Sequence, residues 1–146
     1  MNFSYPQIYL QEVPGEISLG ISISGCKINC KNCHSKETWN RNFGEELTFK
    51  KLDNLIQKNK YITCFLFYGG EWDENIFFFL EYLRNKGFKT ALYSGEESIN
   101  DRLINYLDYY KIGPYVEELG GLSSPTTNQK LYKIVDNKPY QIYLNI

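Results

Sequence analysis

Alanine, methionine and histidine are almost missing from this chain of 146 residues, which holds one Met, one His (His34) and one alanine, Ala91. The lack of alanine beside plentiful Asn, Lys, Ile, Tyr and Phe follows the codon bias of an AT-rich genome and carries no functional meaning. No apolar run reaches the ~18 residues that a membrane-spanning helix requires. The opening Met1-Asn2-Phe3-Ser4-Tyr5-Pro6 lacks the basic and then apolar order of a signal peptide, so a cytoplasmic location away from membranes is expected. Charge of one sign is missing too: 16 Lys and Arg stand against 17 Asp and Glu, a net charge of -1, with no block of like charge. Such a surface offers no grip on a phosphate backbone, and nucleic acid is not an expected partner. There is no internal repeat, low-complexity tract or Pro/Gly/Ser-rich linker. A composition of 42% hydrophobic and 23% charged residues suits a globular core, and the length suits one domain over residues 1–146.

What the chain does have is a concentration of thiols. Three of its four cysteines, Cys26, Cys30 and Cys33, lie within eight residues at the spacing C-x3-C-x2-C. In a chain with no export signal this reads as metal ligation before it reads as a disulfide framework. Three thiolates can hold three irons of a [4Fe-4S] cluster and leave the fourth iron open to a small molecule. Structural zinc is the rival and needs a closed set of four ligands. Of the two candidates for the fourth, His34 directly follows Cys33, and Cys64 lies inside an apolar run where a packing role is expected.

The periodicity predicts alternating strands and helices. Ile17 to Ser24 alternates branched apolar residues with Ser and Gly, the period of a strand with one crowded face. Thr48 is placed to cap a helix bearing Phe49, Leu52, Leu55 and Ile56. Tyr61 to Tyr68 is a continuous apolar strand ending at Gly69-Gly70, and Asp73 is placed to cap a second helix that stops at Gly87. Phe88 to Ser94 predicts a third strand, Ser98 and Asp101 an imperfect capping box opening a third helix, and Tyr109 to Ile112 a fourth strand. Leu131 to Val135 and Tyr140 to Leu144, around Asp136-Asn137-Lys138-Pro139, predict a hairpin. The expected fold class is therefore α/β, an open half-barrel of parallel βα units with a C-terminal hairpin. Ligands of such sheets sit beyond the C-terminal strand ends, where the cysteine segment, Gly69-Gly70-Glu71, Ser94-Gly95 and Gly113-Pro114 converge.

The cysteine motif after a first strand, with Gly69-Gly70-Glu71 after the second, resembles the radical S-adenosylmethionine (SAM) superfamily. Ser24-Gly25-Cys26, Cys33-His34 followed by Glu37-Thr38-Trp39, Gly113-Pro114-Tyr115 and Asn128-Gln129 are similar to the activating proteins of anaerobic ribonucleoside-triphosphate reductase, over about Pro14 to Tyr132. The resemblance implies a radical SAM domain over 1–146 in which Cys26, Cys30 and Cys33 hold a [4Fe-4S] cluster that binds SAM. It places the backbone of Asn32, Cys33 and His34 along the adenine and Gly69, Gly70 and Glu71 by the methionine amino group. Ser94 and Lys111 would then contact ribose or carboxylate. Asn32 departs from the aromatic residue that many of these enzymes carry before the third Cys.

The activity implied is reductive cleavage of SAM and formation of a glycyl radical on a protein partner, the large subunit of anaerobic ribonucleoside-triphosphate reductase, with an external one-electron donor such as flavodoxin. The alternatives are activation of another glycyl-radical enzyme, the same chemistry on a small molecule, and a non-catalytic zinc-stabilised adaptor. Each residue also has a plainer reading: His34 a polar loop group, Glu71 a solvated acid, Trp39 and Trp72 rim packing, Phe77-Phe78-Phe79 core and Cys64 structural.

Overall fold

The computed structural model describes residues 1–26 and 36–144. The elements in chain order are β1 (Asn2–Tyr9), β2 (Ser18–Ile23), a 3-10 turn (Lys36–Trp39), β3 (Glu45–Glu46), α1 (Phe49–Lys58), β4 (Cys64–Tyr68), α2 (Ile76–Asn85), β5 (Lys89–Tyr93), α3 (Asp101–Ile104), β6 (Tyr109–Ile112), β7 (Lys130–Val135) and β8 (Lys138–Ile142). The strands form one sheet in the order β3-β1-β2-β4-β5-β6-β7-β8. Only the four inner strands, β2, β4, β5 and β6, run parallel to one another. Strands β1 and β3 join antiparallel on one side, and β7 and β8 on the other.

This overturns the expected half-barrel of parallel βα units. The sheet is mixed, with eight strands and short helices of 10, 10 and 4 residues. The cause lies partly at the N-terminus. Pro6, a register shift between Ser4 and Gln7 and a left-handed Tyr5 (φ 53°) break the alternation of β1, so its strand character is hidden in the sequence. The third helix is also shorter than its apolar spacing suggests. Its cap is Asn100, whose Oδ1 accepts from the Arg102 amide at 2.9 Å, and it stops at Asn105. Likewise Asp73 lies one turn ahead of α2, accepting from the Asn75 amide at 2.9 Å.

Other local choices follow the sequence. The Thr48 side chain accepts from the Lys51 amide at 3.1 Å and opens α1. The hairpin forms with a shorter turn than expected: Asp136 and Asn137, both with positive φ, make a two-residue turn, while Lys138 and Pro139, expected in the turn, open outermost β8, which ends at Ile142 and not at Leu144.

The two faces of the sheet are covered differently. On one, Leu19, Ile21, Ile23, Phe65, Phe67 and Leu92 pack beneath Leu52 of α1, Ile76, Leu80 and Leu83 of α2 and Leu103 of α3. The other gathers Cys64, Leu66, Ala91, Tyr93, Tyr109 and Leu131, and its covering residues are Val13 and Leu122 from connections without helix or strand. Among the described residues no helix is long and apolar enough to cross a membrane.

Candidate functional site

Where β2 ends, the chain is pinned before it enters the cysteine segment. Ser24 is buried; its amide donates to the Asn2 carbonyl at 3.0 Å and its hydroxyl to the Phe43 carbonyl at 2.7 Å. The Gly25 amide then donates to the Thr38 carbonyl at 2.7 Å, so the chain before Cys26 and the chain after Cys33 meet at one hydrogen bond. Gly25 has φ 102°, and a Cβ there would lie 3.1 Å from Trp72 Nε1 and 3.2 Å from Arg41 Cβ. Glycine is what lets both side chains close on this backbone. Cys26 is half-buried at this strand end and in no disulfide. Cys30, Asn32, Cys33 and His34 lie outside the described residues.

The fourth cysteine sits elsewhere. Cys64 opens β4 opposite Ser18, the first residue of β2, at the far end of the strands. At ~3.3 Å per residue this puts it roughly 20 Å from Cys26 along the strand direction, too far to share one ion. Burial pushes its thiol up to about 12.

Strands β4, β5 and β6 end side by side, and their last residues are joined. The Ser94 hydroxyl donates to Glu71 Oε1 at 2.6 Å and accepts from the Glu96 amide at 3.0 Å, while the Ser94 amide donates to the Lys111 carbonyl at 2.8 Å. Glu71 Oε2 is buried and has no hydrogen-bond partner among the described residues. Burial pushes the Glu71 carboxyl above its ordinary value, against the opposing pull of the Ser94 hydrogen bond. Lys111 is half-buried with its Nζ 4.6 Å from the centre of the Tyr93 ring. Burial lowers its pKa, and among the described residues it forms no ion pair.

The glycines before Glu71 have a different reason from the one expected. A Cβ on Gly69 would lie 2.5 Å from the Trp72 ring, and one on Gly70 (φ 104°) would lie 3.0 Å from Ile76 Cδ1 and 3.2 Å from Ile23 Cγ1. The room left by the missing side chains is taken by the protein's own Trp72, Ile76 and Ile23. Trp72 is thereby the rim-packing residue the sequence suggested, wedged against Gly69 and Gly25.

Residues 14–135 match the family described as the 4Fe-4S single cluster domain. The chain belongs to that family. No curated protein and no solved structure matches it. As a 4Fe-4S single cluster domain it is an iron-sulfur protein, and the zinc-stabilised adaptor gains no support. The donor set fits such a cluster: soft thiolates in one short segment, entered from a partly exposed Cys26, with Cys64 excluded by distance.

The sequence reading missed the tyrosines of the loop-covered face. Tyr9, Tyr68 and Tyr93 form an edge-to-face row with ring centres 5.5 and 5.9 Å apart, and the Tyr93 hydroxyl donates to the Glu12 carbonyl. Tyr9 packs over Gly20, whose Cβ would lie 2.6 Å from the Tyr9 ring. The signal was present in the small residues of β2, which leave space on the face where these rings lie.

Proposed function

We propose that this 4Fe-4S single cluster domain is a radical SAM activase, one domain over 1–146, in which Cys26, Cys30 and Cys33 are the cluster ligands. Its proposed protein substrate is the large subunit of anaerobic ribonucleoside-triphosphate reductase, and its proposed setting is the cytoplasm with a flavodoxin-like one-electron donor. The observation that carries the reading is the enclosed Oε2 of half-buried Glu71, just past the end of β4, which has no partner among the described residues; β4 is the neighbour of the strand that leads into Cys26. A buried acceptor without a partner costs about 1–3 kcal/mol, and a ligand that donates to it recovers that loss.

The α-ammonium of SAM is a donor of the right charge. Its carboxylate has a counterpart in Lys111, a half-buried cation outside the ion pairs of the described residues. When bound, the reduced cluster supplies the electron that splits the carbon-sulfur bond of SAM. The chain's own residues would do the holding: Ser94 fixes one oxygen of Glu71, the other would accept from the ammonium, and Lys111 would pair with the carboxylate. The 5′-deoxyadenosyl fragment released from SAM would then take a hydrogen atom from a glycine Cα of the partner, giving 5′-deoxyadenosine and the glycyl radical.

The test is anaerobic reconstitution with iron and sulfide, followed by dithionite and SAM, with 5′-deoxyadenosine measured with and without the reductase subunit. We expect cleavage, and a doublet paramagnetic resonance signal on the subunit that oxygen converts into chain scission at the glycine. Glu71→Gln should keep the cluster absorption and weaken SAM binding by about tenfold, the scale of one charge-assisted hydrogen bond. A cluster-loaded protein that leaves SAM intact would end this reading, while the family assignment would stand.

A further inference from the structure

Strand β1 contains an irregularity that its pairing does not require. Its register slips between Ser4 and Gln7, and Tyr5 in the slip has φ 53°, a conformation that aromatic residues rarely adopt. Bulges of this kind re-aim a side chain. Here the Tyr5 hydroxyl donates to Glu37 Oε1, and its ring lies 5.9 Å from that of Phe43. Glu37 and Phe43 belong to the stretch that follows the cysteines, and Phe43 is also the residue whose carbonyl Ser24 holds from the other side. The Tyr5 hydrogen bond is the leading cause that keeps the Glu37 carboxyl below its ordinary value.

Four ties therefore close the base of the cysteine segment: Gly25 to Thr38, Ser24 to Phe43, Tyr5 to Glu37, and Asn2 Nδ2 to the Asn42 carbonyl at 3.2 Å. The other three are made by backbone groups or short side chains. The Tyr5–Glu37 tie alone is reached through a strained backbone, and strain is retained where the surroundings have a use for it.

The geometry points to Tyr5 and Glu37 as positioning residues, a clasp that ties the chain following the cysteine segment to the edge of the sheet and sets how long the iron-sulfur cluster is retained. The inference rests on the reading of Cys26, Cys30 and Cys33 as the ligands. Iron leaves a protein-bound cluster through local opening of the ligand-bearing chain, and the free energy of that opening is set by the contacts that close it. The clasp acts on the chain that flanks the segment.

The experiment measures anaerobic transfer of iron from the reconstituted protein to ferrozine. Tyr5→Phe keeps the ring, the backbone and the Phe43 contact and removes only the hydroxyl. It should release iron about fivefold faster than wild type. Glu37→Ala should match it, Glu37→Gln should fall between because its amide oxygen still accepts, and Tyr5→Phe with Glu37→Ala should be no faster than either alone. The iron-free forms should melt at the wild-type temperature.

Wild-type release from Tyr5→Phe, additive effects in the double variant, or a drop in iron-free melting that accounts for the faster release would each overturn the clasp. Failure of the ligand reading has its own signature, since Cys30→Ala or Cys33→Ala would then load a full cluster while the Tyr5 variants were unaffected.

Discussion

The helix-covered and loop-covered faces of the sheet are made by alternate residues of the same strands, yet they differ in almost every physical respect. Beneath the helices the strands present Leu19, Ile21, Ile23, Phe65, Phe67 and Leu92, all buried and all apolar. Beneath the loops they present Ser18, Gly20, Leu66, Tyr68, Ala91, Tyr93, Tyr109 and Lys111, a mixture of small, hydroxyl-bearing and cationic groups. One face supplies the burial on which stability rests. The other gives up part of that burial for hydroxyls and a cation that a polar ligand can use. A period of two lets one strand serve both ends without compromise between them.

The sharpest test concerns the cysteines. Cys26→Ala, Cys30→Ala and Cys33→Ala should each abolish the cluster, whereas Cys64→Ala, on the loop-covered face, should keep about four irons per chain by anaerobic iron and sulfide analysis. Loss of the cluster in Cys64→Ala alone would carry the metal site down the sheet and dissolve the distinction between its ends.

Next in size is the contrast in packing. Phe67→Ala should cost about 3–5 kcal/mol in urea unfolding, because Phe67 is completely enclosed under the helices. Tyr93→Phe, which loses only the hydrogen bond to the Glu12 carbonyl, should cost about 1 kcal/mol. Equal costs would mean that both faces carry the fold alike.

Lys111→Met sharpens the comparison from the other direction. It removes a half-buried cation and keeps the stem that packs by Tyr93, so stability should change by less than about 1 kcal/mol while SAM affinity falls several-fold. Unchanged affinity in a titration would leave Lys111 as a packing residue.

The smallest effect is one of pH. In the ligand-free protein the folded-state Glu71 carboxyl keeps its proton above the pH at which the unfolded chain, with an ordinary value of 4.5, has released it. Stability relative to Glu71→Gln is therefore greatest below that pH, falls as pH rises through the elevated folded-state value, and then levels. Melting curves of the two proteins across that window read it directly, and parallel curves would show that burial of Glu71 is not felt.

The inner strands were legible because each writes its own signal. The alternation from Ile17 to Ser24 and the apolar run to Tyr68 needed no partner to be recognised, and β6 begins and ends where its pattern does. The fold class was not legible, since it depends on which strands flank the parallel block, and β1 hides its character behind Pro6 and a bulge. At the site, Glu71 and Ser94 were found from their place after strands, and the structure joins them. The glycines have a packing reason that the sequence did not show. A sequence shows that a side chain is missing and leaves open whether a ligand or Trp72 takes the space.

Tyr61 to Tyr68 is the kind of segment that stacks into fibres, apolar, β-prone and uncharged. In the folded chain its strand, β4, lies fourth of eight and is shielded on both flanks by its own neighbours. The outer flanks are poor templates for a second chain: β3 has two residues, both exposed glutamates, and β8 carries Lys138 and Pro139. The antiparallel additions that spoil the simple parallel architecture thus act as fenders, keeping the chain's most aggregation-prone stretch away from every other copy of itself.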